Sequence, residues 1–424
     1  MFRCTLCLGL ALAACGDDNG RPQPTICDHH AGGGLADFDV PCDPGPGGVF
    51  ITASGEEFAK DGYAFPPADP DAVVFVDGWQ ITYDHVLTTI DHVTLSDNPD
   101  KSPTDQSLCS DASGAAVKCG TGSSVLAEVD GPFAVDLHQP GPLADADGAE
   151  MDATPIAALT GLNQQGNAAF DPATKYAFGF EVVPATMTAK NVSIEGDAVA
   201  AYEEMVQKGY TTYLIGTATW VGNGHGDLVN SGCTQTAVTP AYDFSALPKT
   251  VHFKIGLVAP TYYRNAQNPT LMGDPFPNEE HPRGVVTVAN TSTIAQVTLH
   301  IDHVFWESFV HDSPAHFDQF AARYAGAGAT ANLTLEDFEG YGLKPFVDAQ
   351  GHQVPWRSCL GADYAPPADG AMAFDTLTIP VDPTGNPATV IRDFYDYTTY
   401  NQSTFGHLNA DGLSFVDRQY ASPP

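Results

Sequence analysis

Four histidines, three aspartates and one glutamate fall within the nineteen residues HIDHVFWESFVHDSPAHFD, from His300 to Asp318. Imidazole and carboxylate side chains carry protons near neutral pH and ligate divalent transition metals, so their grouping decides what this stretch can do. Two backbone arrangements compete. If a strand runs on through Trp306, His303 shares a face with Leu299, Ile301 and Phe305. If the strand ends at Ile301 and Asp302 caps a helical turn, His303, Glu307 and His311 fall at i, i+4 and i+8 along one stripe. The apolar spacing of HVFWESFVH is helical, which favours the second arrangement. His316 opens the next helix and can return as a fourth ligand, with Asp302 or Asp318 orienting an imidazole from outside. Carboxylate plus imidazole suits zinc, copper(II) or iron(II) better than copper(I). The bland competitor is a solvated helix face whose histidines bond to nearby carbonyls.

Other polar groupings are weaker. Asp145, Asp147, Glu150 and Asp152 stand in a glycine turn, DADGAEMD, with oxygen donors of the kind calcium takes, but the full twelve-residue EF loop is missing. In YDHVLTTIDHV, strand alternation puts His85 with Asp91 on one face and Asp84 with His92 on the other, so the four cannot converge. CDHHAG holds Asp28, His29 and His30 in a region that reads as a tether, and His225 in GNGHGD reads as a loop residue. There is no GxSxG elbow, Walker loop, HExxH or GxGxxG after a strand, so the sequence names no reaction and an uncharacterised hydrolase ranks last among its readings.

The first residues carry one basic residue, an apolar run from Leu6 to Ala14, and then Cys15, the form of a secretory signal too short to span a membrane. Leu12-Ala13-Ala14-Cys15 resembles the lipobox of bacterial lipoproteins. That resemblance implies cleavage before Cys15, acyl chains on its thiol and new amino group, and anchorage in the cell envelope. Gly16 rather than Asp after the cysteine implies an outer-membrane location facing periplasm or exterior. Beyond the signal and Cys15 there are six cysteines, and an even count in an exported chain predicts disulfides. The expected pairs are Cys27–Cys42 and Cys109–Cys119, closing short loops, and the long-range Cys233–Cys359.

Charge is lopsided, 52 acidic residues against 17 Lys plus Arg. Such a chain does not bind nucleic acid, is repelled by anionic lipid heads and attracts cations. Asp outnumbers Glu, 39 to 13, which favours turns over helices. Short runs dense in Val, Ile, Thr, Tyr and Phe follow one another between turn signals: AVVFVDGWQITYDHVLTTIDHVTL, TKYAFGFEVVPAT, TTYLIGTATWVG, KTVHFKIGLVAP, GVVTVANTSTIAQVTLHID and AFDTLTIPVD. They predict a mainly β fold, an antiparallel β-sandwich of one or two units with a few short helices. GDAVAAYEEMVQKGY is the best helix, capped by Asp197 and stopped by Gly209; SPAHFDQFAARYAG, starting from Ser313, and TLEDFEGYG are the others. The expected organisation is a signal at 1–14, a Gly/Pro/Asp-rich tether at 15–48, a β-rich domain at 49–268 and a β-rich region with short helices at 269–424, the last boundary being soft.

The strand-like stretches DGWQITYDHVLTTIDHVTL and VTLHIDHVFW, with their His/Asp-rich ends behind a lipoprotein signal, resemble the periplasmic copper-binding lipoproteins associated with methanobactin uptake. The resemblance implies metal binding in the envelope and transfers no ligand. Two functions of different kind therefore stand: a lipid-anchored protein binding a divalent transition metal, and a non-enzymatic surface or periplasmic interaction module.

Overall fold

The structure, a computed structural model, describes residues 24–68, 75–97, 125–129, 131–146, 151–162, 164, 166–222, 232–266, 284–309, 313–360, 370–377, 379–409 and 415–418. It is mainly β, with two large sheets and a few short helices. The larger sheet has eleven strands. Its main path runs from Thr330–Thr334 through Thr250–Leu257, Thr212–Trp220, Trp79–Ser96, Lys175–Val182 and Thr261–Arg264 to Phe415–Arg418. The smaller has five, in the order Gly406–Leu408, Thr293–Leu299, Val49–Ser54, Met151–Leu159 and Leu143–Ala144. One apolar core takes side chains from both, such as Ile51 and Val297 from the smaller and Ile81, Phe178 and Phe253 from the larger. All six residues of Val49–Ser54 are buried, as befits a central strand covered on both faces.

Pairing is not purely antiparallel. Thr293–Leu299 runs parallel to Val49–Ser54, Thr330–Thr334 parallel to Thr250–Leu257, and Lys190–Asn191 parallel to Phe133–Asp136. Both sheets draw strands from either side of residue 269, so a cut there would divide each of them. Part of the stretch read as a tether is folded: Ile26–His30 and Phe38–Pro41 pair as a hairpin closed by Cys27–Cys42. Phe38 is buried in the core and Ala36 bonds to the Ala189 carbonyl, which fixes the hairpin to the body. A second disulfide joins Cys233 to Cys359. Cys15, Cys109 and Cys119 lie outside the described residues.

The helix Ala198–Lys208 forms where its spacing and its terminal Gly209 predict. The helix expected from Ser313 starts only at Asp318 and is five residues long. Its start is moved by a buried carboxylate: Asp77 accepts from the backbone N–H groups of Phe317 at 2.6 Å and Asp318 at 2.8 Å. Asp318 is itself held by Arg357 and by the Trp79 indole N–H, each at 2.8 Å, so the turn between 313 and 317 is set by tertiary contacts. TLEDFEGYG supplies a single 3₁₀ turn, Leu335–Phe338, with a capping box between Thr334 and Asp337. Among its described residues AFDTLTIPVD forms no regular strand, and a helix not anticipated from the sequence spans Phe394–Asn401.

Candidate metal centre

The smaller sheet gathers polar side chains at one end. Because Val49–Ser54 and Thr293–Leu299 are parallel, both leave the sheet at the same edge. The antiparallel strand Gly406–Leu408 begins there, with Thr298 paired to Ser54 on one side and to His407 on the other. Leu299 ends its strand, His300 caps the next turn, and Ile301–Phe305 winds as a 3₁₀ helix. At three residues per turn, positions i and i+3 eclipse, so His300 and His303 come to one side. The antiparallel neighbour brings His407 to the same place from 104 positions further along the chain. Ligand atoms of His300, His303 and His407 all lie within 4.8 Å of one another.

Outer contacts fix two of these rings. The Thr404 hydroxyl donates to the Asn401 carbonyl at 2.7 Å, so toward His303 Nδ1, at 2.9 Å, it accepts. His303 therefore carries its proton on Nδ1 and its lone pair on Nε2. The Thr404 carbonyl, 3.1 Å from His407 Nε2, can only accept, which puts the lone pair of His407 on Nδ1. One residue thus sets both tautomers, as outer partners do around metal-binding imidazoles. Trp306 stacks on His303 with centroids 3.5 Å apart, and both rings are buried.

His300 is held differently. Its Nε2 lies 3.0 Å from Glu56 Oε2, and its ring lies against His407 with centroids 4.3 Å apart and a tilt of 30°. Lone pairs point along the plane of each ring, so two nearly parallel rings cannot both aim at one ion. Tetrahedral ligands about 2.0–2.1 Å from zinc stand roughly 3.4 Å apart. The three rings are thus gathered, and His300 must turn to complete a site. Glu56, with φ at +58°, occupies the left-handed region, a conformation that costs a non-glycine residue of order 1 kcal/mol and collects at functional sites.

Carboxylates surround the cluster. Burial raises the Asp302 carboxyl, His300 opposes that rise, and the phenols of Tyr63 and Tyr83, pushed up by burial, face the same carboxylate. Asp152 accepts from the Ser54 hydroxyl at 3.1 Å and is pushed up to about 6, by burial first and by Asp145 second.

The described part of the expected stripe, His303 and Glu307, does not lie on one helix, because the 3₁₀ turn ends at Phe305 and Trp306 returns to extended backbone, bridging Ala315. Of the four side chains expected to share an ion, His303 joins His300 and His407 instead. Glu307 and His316 meet elsewhere, with Glu307 Oε2 3.6 Å from His316 Nδ1 and accepting from the Trp356 indole at 2.7 Å. Burial lifts Glu307 to about 7 and lowers His316 to about 3. His311, Asp147 and Glu150 lie outside the described residues. Asp145 and Asp152, the described part of the acidic turn, are buried rather than displayed to solvent, Asp152 against the Ser54 hydroxyl. The i, i+3 spacing of His300 and His303 is the available signal for two of the cluster's three members; nothing around His407 in FGHLNA marks it.

No family model, curated protein or solved structure gives a significant match to this chain.

Proposed function

We propose that this chain binds a divalent transition ion between His300, His303 and His407, and does so as a lipid-anchored protein of the cell envelope. The observation that carries the metal reading is the pair of neutral tautomers set by Thr404, which turn His303 Nε2 and His407 Nδ1 into the ligating nitrogens. Nitrogen donors among carboxylates favour zinc, copper(II) or iron(II), and binding competes with protons, so affinity falls as pH drops through about 6 to 7. Elemental analysis of protein made without a histidine tag, followed by zinc titration, tests the reading. Stoichiometric metal, of which one equivalent is lost in His407→Gln with the far-ultraviolet dichroism unchanged, is the expected result. A wild-type chain that takes up no stoichiometric ion overturns it.

The anchor rests on Leu12-Ala13-Ala14-Cys15. A clickable fatty-acid analogue fed to expressing cells is expected to mark the wild type and not Cys15→Ala. Equal labelling of both removes the anchor without touching the metal site.

A further inference from the structure

On the other face of the larger sheet lies a cleft of about 520 Å³, between the helix Ala198–Lys208 and the strands Trp79–Ser96, Thr212–Trp220 and Thr250–Leu257. Its lining includes His85, His138, Asp84, Asp197, Glu204 and Lys254. The helix is seated by Tyr202 and Met205 against Leu87 and Tyr213. A β-bulge puts His85 there. Tyr83 pairs with Gly216 and His85 with Ile215, which leaves Asp84 as the extra residue. The bulge reverses the alternation: Tyr83 faces the core between the sheets, whereas Leu87, two beyond His85, faces the helix.

Below the cleft, Asp136 is fully buried and serves three donors. Its Oδ1 accepts from the backbone of Val86 at 3.0 Å and of His138 at 3.1 Å, and its Oδ2 from His85 Nδ1 at 2.9 Å. That last bond leaves Nε2 as the basic nitrogen of His85. His138 is set the same way, its Nδ1 donating to the Ala59 carbonyl at 2.9 Å and leaving Nε2 as ligand. A carboxylate or carbonyl behind one ring nitrogen is what fixes metal-binding histidines elsewhere. Asp197, where the helix begins, holds Oδ1 3.6 Å from His85 Nε2, close to the roughly 3.4 Å between two ligands of one tetrahedral ion.

We infer that this cleft is a second site for a divalent transition cation, seated on His85 Nε2 and the Asp197 carboxylate with water completing the shell; His138, which lines the same cleft but does not group with them, must turn in to serve as third ligand. Lys254 does not repel the ion strongly, because its ammonium is paired to Glu204 at 2.8 Å. The site is separate from the three-histidine cluster and shares no ligand with it.

Equilibrium dialysis against zinc, read by elemental analysis, tests this with wild type, His407→Gln and the double variant Asp197→Asn/His138→Gln. The Asp197 side chain is 94% exposed, so its replacement leaves the core alone, and thermal melting of the metal-free proteins checks the fold. The expected result is a second equivalent of zinc, beyond the one lost in His407→Gln, whose dissociation constant rises at least tenfold in the double variant and is unchanged in His407→Gln. If the double variant binds zinc as the wild type does, the His85–Asp197 contact is an ordinary ion pair and the inference is wrong. Loss of metal in His407→Gln alone supports the first site and refutes the second; loss in the double variant alone does the reverse.

Discussion

At the scale of single residues, Glu307 and His316 exchange roles on folding. In the unfolded chain at pH 5.5 the glutamate is ionised and the imidazole charged. In the fold, burial keeps Glu307 protonated up to about 7 and His316 neutral down to about 3. Between about pH 4.5 and 6.5 the pair binds one proton in either state, so its two contributions to the pH dependence of stability cancel. The glutamate alone, with its pKa raised, contributes stability at low pH that is lost as pH rises toward 7. The histidine alone, with its pKa lowered, contributes stability above 6.5 that is lost as pH falls. Glu307→Gln keeps an acceptor for Trp356 and uncovers the histidine term. Its stability relative to wild type is expected to rise by about 1.4 kcal/mol per pH unit between pH 4.5 and 6.5. Urea unfolding at four pH values measures this, and a difference that stays flat with pH sinks the exchange. The sequence made the stretch from His300 to Asp318 conspicuous because residue types are visible there. Which of its members meet was not, since that depended on where one 3₁₀ turn stopped and on His407 arriving from a distant strand.

At the scale of elements, local signals worked where a segment's own residues decide its conformation. Ala198–Lys208 is such a segment. Gly209 ends it at φ +69°, with its N–H bonded to the carbonyls of Met205 and Val206. A methyl group placed there would meet nothing within 4 Å, so Gly209→Ala isolates the backbone cost of the left-handed conformation. The expected loss is about 1–2 kcal/mol, and Gly209→Asn should lose less because asparagine tolerates that region. Denaturant midpoints of the two variants decide; equal loss, or none with alanine, contradicts this account of the cap. Local signals failed where distant groups intervened. Asp77 displaces the start of the helix expected from Ser313. Phe394–Asn401, by contrast, is a helix held by its own neighbours: Asp393 accepts from the Asp396 N–H at 3.0 Å and Arg392 grips the Asp396 carboxylate at 2.6 Å. The alternation of YDHVLTTIDHV was read correctly as a strand and wrongly as unbroken, since bulges reset its faces near Asp84 and again near His92.

At the scale of the whole molecule, a net charge of −35 leaves few Lys or Arg side chains to answer the carboxylates, and histidines take up part of that work. His29 lies 2.7 Å from Asp39, His85 2.9 Å from Asp136 and His92 2.7 Å from Glu128. In each the hydrogen bond to the carboxylate is the main cause of a raised imidazole pKa, against the smaller cost of burial. A raised folded-state value means stability that is fully present below the unfolded value of about 6.5 and is lost as pH climbs through the folded one. Asp152, lifted to about 6, acts in the same direction over a lower window, from its ordinary value near 3.8 up to about 6. Self-repulsion of the carboxylates also grows as the histidines discharge. The metal-free protein is therefore expected to melt at a higher temperature at pH 6 than at pH 8. Sodium chloride should narrow the gap, because the exposed pairs are screened once the Debye length falls to about 10 Å near 0.1 M. Zinc at pH 8 should act differently: it binds only the fold, so it raises the midpoint by mass action in a way that salt of equal ionic strength does not reproduce. Melting curves at the two pH values, with and without salt, carry the test. A midpoint that is higher at pH 8, or a gap that widens with salt, would mean that histidine–carboxylate pairing is not what balances this acidic chain.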